Sequence, residues 1–468
     1  MKKHKVLVLG AGISGLCSAY WLKKQQIDVE LIEASAQAGG SMQSVRKGGF
    51  LMDFGPNSGL DTTPLIGQLV EELKLQDQII YANQAAKKRY ILQGHRLEAL
   101  PSGPLSFLST HLFSTSAKLR LLKEPFIRPL SPGQDISIAD FVRHRLGEEF
   151  LNNAVDPFIS GIYAGNPEKL SVKSAMPKLY ALEEKHGSLI RGAIAGAKER
   201  KKSKETSKQT ARQFSFREGM QTLAKALAAQ METGIRYQTS VKKIERGTSQ
   251  KYKLTLELAE GLREVEADTV LSTIPAHRLS PAIQNLDESL SQHLNAITYP
   301  PVMVLYLAFE KKAIRQALDG FGFLIPGRER RSFLGAIWSS VIFPQRADDQ
   351  YATFTIFVGG ARQQGLLQED LEAKKKKVIR EFKEIMMIAD SVEPILAESK
   401  LWNKAIPQYN LGYQEHEDYF QRFEVEHPGF FLGGNYRGGI SVSDCINTSE
   451  LNSQRILEYL KRSTKPVV

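Results

Sequence analysis

The chain has 468 residues, 42% of them hydrophobic and 24% charged, proportions typical of a soluble globular protein with two or three domains of ~150 residues each. No apolar run approaches the ~20 residues of a membrane-spanning helix, and the two cysteines and nine histidines form no metal-binding or disulfide pattern. The formal net charge of +11 favours an anionic partner, but no nucleic-acid motif accompanies it, so nucleic acid is not expected to bind.

The first 33 residues predict a strand, a helix and a second strand. Lys5 to Leu9 is apolar, Ser14 to Gln25 has helical spacing, and Val29 to Glu33 is again strand-like. Such a unit begins a parallel sheet whose two faces are covered by helices. The basic and then apolar start resembles a signal peptide, but Gly10 and Gly12 interrupt it and no cleavage site follows. We therefore expect a cytoplasmic protein.

Beyond this unit, the chain alternates between helical and strand-like segments. The spacing predicts helices over 66–75, 138–145, 148–155, 188–200 and 449–460, a hairpin over 88–100 turning at Gly94, and mainly helical structure between 104 and about 215. Strands are predicted over 235–244, 252–258, 269–274, 302–309, 351–358 and 430–434. We interpret the basic stretch Lys198 to Arg212 as a solvated loop or helix end, with contact to an anionic membrane surface as the alternative.

A glycine-rich turn joins the first strand to the first helix. Gly10 to Gly15 reads GxGxxG, in which Gly10 permits a tight turn, Gly12 lets the backbone approach a pyrophosphate, and Gly15 lets helix and sheet pack closely. The phosphates would then lie on free N–H groups at the helix N-terminus. Glu33 ends the second strand, 18 residues after Gly15, where an acid accepts the hydroxyls of an adenosine ribose. The sequence therefore predicts a bound dinucleotide.

Three further segments indicate which dinucleotide binds. Glu33 and Ala34 precede a second glycine pair, Gly39-Gly40, and a turn follows at Asp53 to Asn57. Near the other end lies Gly433 to Gly439. This layout resembles the flavin-containing amine oxidase superfamily, which implies FAD. No Cys or His lies in a recognisable flavin-linkage motif, so we expect the FAD to be non-covalent, and the absence of a histidine cluster predicts no metal. The cofactor contacts that the resemblance implies are Gly10, Gly12, Ser14, Gly15, Glu33, Ala34, Gly39, Gly40, Ser41, Gly55, Pro56, Asn57, Val241, Trp402, Gly434, Asn435, Ser441 and Val442.

The resemblance also implies an α/β architecture, with a Rossmann-like FAD-binding domain, a mixed-sheet substrate domain and a helical insertion. We expect the FAD-binding domain in three parts, 1–87, 215–285 and 426–468. The substrate domain is expected in two parts, 88–104 and 286–425, and the helical insertion is expected at 105–214.

Within the superfamily, one block narrows the match. Asp156 to Pro167 reads DPFISGIYAGNP, which resembles a block of the oxygen-dependent protoporphyrinogen oxidases. Other segments resemble blocks of that family in the same order: 100–102, 320–326, 339–344 and 402–409. Ser441 to Cys445 departs from the family pattern. The resemblance implies oxidation of protoporphyrinogen IX to protoporphyrin IX by FAD and molecular oxygen, a reaction of heme biosynthesis on CH–CH groups.

Five residues receive roles at the substrate from this resemblance. Asn57 would orient the substrate near the reacting edge of the flavin, because an amide is no strong base. Arg89 would pair with a propionate, since a guanidinium meets a carboxylate with two parallel bonds. Phe321 and Leu324 would sandwich the macrocycle, and Gly161 would leave room for it.

Several alternatives stay open. Coproporphyrinogen III is the nearest alternative substrate, although apolar residues around Phe321 to Pro326 favour the substrate with two propionates, because an unpaired buried carboxylate is costly. Arg328, Arg330 and Arg331 lie close enough to reverse this preference. More distant alternatives are an amine oxidase, a carotenoid desaturase or a flavin-binding protein without turnover.

The helical insertion suggests a second, peripheral partner. An apolar face could bind the inner face of an anionic membrane, or it could close the substrate pocket. The sequence leaves the oligomeric state open, with a homodimer as one alternative. The proposed apolar face consists of Leu105, Phe107, Leu108, Leu112, Phe113, Leu119 and Leu122.

Overall fold

The computed structural model describes residues 5–130, 133–200, 211–231, 234–247 and 251–463. Two large sheets organise this part of the chain, and the chain passes between them repeatedly. The first, called the parallel sheet here, has five parallel strands in the spatial order Ile235–Arg236, Asp28–Ile32, Lys5–Leu9, Thr269–Ser272 and Phe430–Leu432.

Alternation along the central strand of the parallel sheet builds both of its faces. Val6 and Val8 are buried in one apolar cluster with the helices Ile13–Lys24, Pro64–Glu72, Gln221–Gln230 and Val442–Ser463. Leu7 and Leu9 are buried in a second cluster on the opposite face. That cluster contains the antiparallel sheet Ser240–Arg246, Tyr252–Leu258 and Gly261–Ala267 and the helices Ala276–Ile283, Glu288–Ala296 and Tyr413–Glu426.

The second sheet, called the seven-stranded sheet here, is mixed. Every neighbouring pair is antiparallel except one parallel pair, Gly320–Leu324 with Lys88–Gln93. Its spatial order is Leu396–Trp402, Val302–Glu310, Tyr351–Gly359, Gly335–Ile337, Gly320–Leu324, Lys88–Gln93 and Arg96–Ala99.

The two faces of the seven-stranded sheet meet different partners. In strand Val302–Glu310, Met303, Leu305, Leu307 and Phe309 pack with helix Leu371–Ile385. The alternate residues Val302, Val304, Tyr306 and Ala308 pack against Phe50, Met52 and Phe54. Phe50 and Met52 lie on the hairpin Ser44–Lys47 and Phe50–Asp53. A separate three-stranded sheet has the spatial order Gly59–Leu60, Gln213–Phe216 and Ile79–Tyr81.

The region between the hairpin 88–99 and residue 200 is helical. Its centre holds a fully buried Arg145, whose guanidinium pairs with Glu183 and with Glu124 at 3.4 Å. Glu124 also accepts hydrogen bonds from the Ser188 hydroxyl and the Leu189 N–H, at 2.6 and 2.8 Å. The helices are Pro104–Ser109, Thr115–Lys123, Ile138–Arg145, Glu148–Phe150, Asp156–Tyr163, Val172–Ala175, Pro177–His186 and Leu189–Arg200, with a π-helical segment at Leu151–Val155.

These observations confirm the predicted fold class, and most predicted elements are present with ends shifted by a few residues. The prediction of one strand over 235–244 was wrong, because Ile235–Arg236 belongs to the parallel sheet and Ser240–Arg246 to another sheet. The last helix begins at Val442, earlier than predicted. The predicted domain boundaries remain predictions, and the one at 214/215 falls inside strand Gln213–Phe216. None of the helices in the described ranges is both long and apolar enough to cross a bilayer.

Candidate active site

The glycine-rich turn contains two glycines that the protein itself requires and one that it does not. Gly10 has a φ of +97°, and its N–H donates to the Ile32 carbonyl at 2.8 Å. A methyl group on Gly15 would overlap the Gly10 carbonyl oxygen. A methyl group on Gly12 would meet no described atom within 4 Å, and its φ of −74° is open to any residue. Gly12 therefore borders space outside the protein's own packing, as a ligand-binding turn requires.

The second glycine pair lies directly against this turn. The Gly39 N–H donates to the Ala11 carbonyl at 2.8 Å, and the backbones of Gly12 and Gly39 form a parallel bridge. Gly40 has a φ of +58°, and a methyl group there would lie 3.2 Å from the Gly12 Cα. Helix Ile13–Lys24 begins at this point without a side-chain cap. Its first N–H groups have no acceptor within the helix, which suits an anionic phosphate.

Glu33 faces the glycine-rich turn from the end of the second strand. Its side chain is nearly buried, and its two carboxylate oxygens accept hydrogen bonds from the Ala11 and Ser35 N–H groups, each at 2.8 Å. A carboxylate has about four acceptor positions, so two remain for hydroxyl groups. The Glu33 carbonyl accepts from the Thr239 N–H at 2.9 Å, which brings the strand containing Val241 alongside. These groups fit the adenosine diphosphate part of FAD.

The segment at Phe54 and Gly55 contacts Trp402 and Ser41, while Gly434 lies against Thr273, which also borders Gly10 of the glycine-rich turn. The indole N–H of Trp402 donates to the Phe54 carbonyl at 2.7 Å. A methyl group on Gly55 would overlap the Ser41 carbonyl oxygen, so the backbones at Gly55 and Ser41 are in direct contact. Gly434 takes a φ of +98°.

Tyr409 fixes the closing glycine-rich segment. Its hydroxyl donates to the Asn435 carbonyl at 2.8 Å and accepts from the Gly439 N–H at 3.1 Å. Burial raises the pKa of Tyr409 well above its ordinary value, so the hydroxyl keeps its proton. The Ser441 hydroxyl accepts from the Asp444 N–H at 3.1 Å, as a helix N-cap does, and Val442 begins the last helix.

Asn57 lies between the cofactor segments and the seven-stranded sheet. Its amide nitrogen donates to the Gly55 carbonyl at 3.2 Å, and its amide oxygen accepts from the Thr355 hydroxyl at 3.0 Å. The Asn57 side chain is half-buried. A cavity of about 10 Å³ adjoins it and is also lined by Ser339 and Arg346.

A buried ion pair supports the backbone next to Asn57. A guanidinium nitrogen of Arg346 lies 2.6 Å from a carboxylate oxygen of Asp53, and both residues are almost fully buried. The same nitrogen donates to the Ser215 hydroxyl at 2.7 Å and reaches the Asn57 carbonyl at 3.5 Å. Burial raises the pKa of Asp53, while Arg346 and the hydrogen bonds to the carboxylate oppose that rise.

Arg89 and Phe321 lie side by side on the only parallel strand pair of the seven-stranded sheet. The Arg89 guanidinium lies 5.3 Å from the centre of the Phe321 ring and is exposed. The neighbouring Lys88 is paired with Asp319 at 2.5 Å, and the Tyr90 hydroxyl donates to the same carboxylate at 2.6 Å. The Asp319 carboxylate is therefore bound by Lys88 and Tyr90, and the Arg89 guanidinium contacts the Phe321 ring.

Leu324 and Gly161 are in direct contact. A methyl group on Gly161 would overlap Cδ2 of Leu324, so the glycine makes room for leucine as well as for any ligand. Helix Asp156–Tyr163, which carries Gly161, is attached to the same strand end through Asp156. The Asp156 carboxylate accepts from the Gly327 N–H at 2.8 Å and pairs with Arg362 at 2.6 Å.

Strand pairing in the seven-stranded sheet connects the Arg89–Phe321 and Leu324–Gly161 contacts to Asn57. Thr355 pairs with Ile337, and Ile337 pairs with Gly322, which lies beside Arg89 and follows Phe321. Arg89, Phe321 and Leu324 therefore lie on two adjacent strands, Gly161 contacts Leu324 from a helix, and Asn57 contacts Thr355 two strands away. The predicted cofactor residues lie at the glycine-rich turn, at the segment around Phe54 and at the segment around Gly434. Sequence reasoning did not assign roles to Thr355, Arg346 or Tyr409. The block 339–344, which ends two residues before Arg346, was the available signal for that position.

Known proteins match this chain over nearly its whole length. A family model described as flavin containing amine oxidoreductase matches residues 13–457. A chloroplastic protoporphyrinogen oxidase of Oryza sativa subsp. japonica is 31% identical, over 97% of this chain and 88% of the relative. A coproporphyrinogen III oxidase of Bacillus subtilis (strain 168) is 29% identical, over 98% of this chain and 99% of the relative.

Solved structures agree on the fold. A crystal structure from Exiguobacterium sp. 255-15 has a TM-score of 0.81 at 24% identity, covering 98% of this chain and 100% of that chain. A reduced UDP-galactopyranose mutase has a TM-score of 0.74 at 14% identity, covering 98% of this chain and 94% of that chain.

Proposed function

Because this chain belongs to the flavin containing amine oxidoreductase family, and is an FAD-dependent oxidoreductase, we propose that it oxidises protoporphyrinogen IX to protoporphyrin IX. Molecular oxygen is the proposed electron acceptor, and heme biosynthesis is the proposed context. The observation that carries the substrate assignment is the exposed Arg89 over the Phe321 ring, next to Leu324 and across the sheet from Asn57. One cation beside apolar surface suits a flat apolar ring with carboxylates on one side.

Some residues of the site bind the substrate, and Asn57 orients it. Arg89 binds a propionate with paired N–H groups, and Phe321 and Leu324 contact the macrocycle on apolar surface. Asn57 offers an amide donor and acceptor to the pyrrole edge and sets the angle of the ring. FAD, when bound, supplies the two-electron acceptor. The helix N-terminus at Gly12 to Gly15 and the Glu33 carboxylate hold its diphosphate and ribose.

The arginines near the site favour the substrate with two propionates over coproporphyrinogen III. Arg331 pairs with Glu384 at 2.8 Å, Arg328 lies 3.6 Å from Glu329, and Arg362 pairs with Asp156. Cations that already face carboxylates are poor partners for two further propionates, and a buried unpaired carboxylate is costly. Arg330 is exposed and is the residue of this loop that would favour the alternative.

Steady-state kinetics on both substrates tests the assignment. The kcat/KM values for protoporphyrinogen IX and coproporphyrinogen III should be compared in the same detergent and at the same oxygen concentration. We expect the ratio to favour protoporphyrinogen IX. A ratio favouring coproporphyrinogen III would overturn the substrate assignment and leave the FAD-dependent oxidoreductase assignment intact.

We further propose a cytoplasmic location with peripheral membrane contact through the helical region. Leu105, Leu108, Leu122 and Phe126 are 68–83% exposed, and such a set of exposed apolar side chains is typical of an interaction surface. Leu112 and Phe113 do not belong to this surface, because they are buried, and Phe107 stacks on Phe150. The basic stretch proposed to assist has residues 201–210 outside the described residues.

A further inference from the structure

Three polar side chains form a row that begins at Ser339 in helix Ser339–Ile342, passes through Thr355 on strand Tyr351–Gly359 and ends at Asn57. The Ser339 and Thr355 hydroxyl oxygens are 2.9 Å apart, and the Thr355 hydroxyl oxygen is 3.0 Å from the Asn57 amide oxygen. Thr355 is fully buried, and Ser339 is 5% exposed. Hydrogen bonds at such buried positions are strong and geometrically selective because water does not compete for them.

The Gly55 carbonyl determines which group donates in each hydrogen bond of this row. A carbonyl can only accept, so the Asn57 group that faces Gly55 at 3.2 Å must be the amide nitrogen. The amide oxygen then faces Thr355, which must donate its only hydroxyl proton to it. The Ser339 hydroxyl therefore donates to Thr355. The three groups form an ordered relay, from Ser339 to Thr355 to Asn57, with a single arrangement of protons.

The backbone of Asn57 is held separately from its side chain. Arg346, paired with Asp53, reaches the Asn57 carbonyl, while the relay holds only the amide. Loss of the Thr355 hydroxyl would therefore leave the amide held only through Gly55 and would not release the loop. One amide hydrogen and one lone pair of Asn57 remain for a ligand, and the relay determines where they point.

We propose that Thr355, with Ser339 behind it, is a positioning residue that sets the orientation of the Asn57 amide toward the porphyrinogen. This inference rests on the proposed function, because the substrate is the ligand that Asn57 is proposed to orient. The relay acts on the angle of the bound ring, so its loss lowers kcat more than it raises KM. Arg89, which holds a propionate, affects KM instead.

The test compares Thr355→Val, which keeps the shape and removes the hydroxyl, with Thr355→Ser, which keeps the hydroxyl. We expect kcat for protoporphyrinogen IX to fall by about tenfold in Thr355→Val, the size expected for one buried hydrogen bond, and to recover in Thr355→Ser. Thr353→Val is the matched control, because Thr353 is equally buried and lies two residues earlier on the same strand. FAD content and Tm, measured on each variant, separate folding from positioning.

A double-mutant cycle shows whether Thr355 acts through Asn57. In an Asn57→Ala background, Thr355→Val should lower kcat no further, because the amide that it orients is gone. The affinity of the FAD-loaded Thr355→Val variant for protoporphyrin IX, from fluorescence quenching, should change little, because the relay orients the ring and Arg89 holds it. Two outcomes would overturn the relay and leave the proposed function standing. One is a fall in kcat on Thr355→Val that is equally large in the wild-type and Asn57→Ala backgrounds. The other is a wild-type kcat in Thr355→Val. A wild-type protein that oxidises neither porphyrinogen would overturn the proposed function and the relay's role with it.

Discussion

The side chain of Leu324 occupies the space that a methyl group on Gly161 would need. Helix and strand are therefore matched at this point, and a larger residue at 161 must displace the flexible end of Leu324. We expect Gly161→Ala to raise KM for the porphyrinogen several-fold with little change in Tm, because a displaced leucine end relaxes more easily than backbone.

Gly67→Ala is the matched control for this change. Gly67 lies exposed in helix Pro64–Glu72, and a methyl group there meets nothing within 4 Å. Alanine at this position should leave KM unchanged and stabilise the helix by about 1 kcal/mol. Equal KM values for wild type and Gly161→Ala would separate Leu324 from the substrate site.

Gly12 and Gly15 make opposite predictions for the same substitution. Gly12→Ala should fold with a Tm close to that of the wild-type apoprotein but lose FAD, because the added methyl group enters only the space next to the phosphate-binding turn. Gly15→Ala should lose both stability and FAD, because its methyl group would overlap the Gly10 carbonyl. Flavin absorbance and thermal unfolding of the two purified variants measure the difference.

The same preparations test how the cofactor is held. Heat-denatured wild-type protein should release free FAD, since the cofactor is expected to be non-covalent. A Gly12→Ala variant that retains stoichiometric FAD would argue against the diphosphate lying on this turn.

Arg89 and Lys88 are adjacent cations with different surroundings. Arg89→Ala should raise KM about tenfold to a hundredfold with a smaller effect on kcat, because a charge-assisted hydrogen bond contributes roughly 1.5–3 kcal/mol to binding. Lys88→Ala should change KM little, since Lys88 is paired with Asp319. Initial rates over a range of porphyrinogen concentrations give KM and kcat for both variants. An unchanged KM in Arg89→Ala would show that Arg89 is an ordinary surface charge.

The local parts of this site were predictable from sequence, and the parts that join distant segments were not. Gly10, Gly15 and Gly39 follow from backbone geometry within a few residues, and the pattern of glycines expresses it directly. Asp53 and Arg346 pair only because the hairpin at 50–53 packs against the seven-stranded sheet. No short-range pattern encodes that approach.

The apolar residues of the helical region show the same limit. Leu112 and Leu122 look alike in the sequence, yet Leu112 is 1% exposed and Leu122 is 70% exposed. Helical spacing identifies a face only within one helix, and the segment 105–122 contains parts of two, Pro104–Ser109 and Thr115–Lys123. Leu112 lies in the connection between them, so the spacing of neither helix predicts its burial.

The exposed leucines predict binding to lipid. Leu105 and Leu108 share one helix face and Leu119 and Leu122 share another, because each pair is three residues apart. Replacing Leu105, Leu119 and Leu122 together by Ser should abolish flotation with acidic liposomes at low salt while leaving Tm unchanged. Leu262→Ser with Val425→Ser is the control, since both residues are exposed outside this region. Wild-type protein that stays unbound at low salt would exclude membrane contact under these conditions.

His277 predicts a loss of stability in mild acid. Its ring packs edge-on against Tyr299 with centroids 4.8 Å apart, and burial lowers the pKa of His277 from 6.5 to about 4, assisted by Lys404 and Arg278. The unfolded chain therefore binds a proton near pH 6.5 that the folded chain refuses until about pH 4. Stability falls as pH drops through this window and is fully lost, for this group, below it.

Replacing the imidazole by an uncharged ring isolates this contribution. His277→Phe keeps the contact with Tyr299 and removes the titration, so its free energy of unfolding should fall less between pH 7 and pH 4.5 than that of the wild type. Burial also lowers the pKa values of His293, His416 and His427, and these residues contribute equally to both proteins. Urea unfolding at the two pH values, with exposed His111→Phe as control, measures the difference. An identical loss in wild type and His277→Phe would show that His277 takes up its proton in the folded state as readily as in the unfolded one.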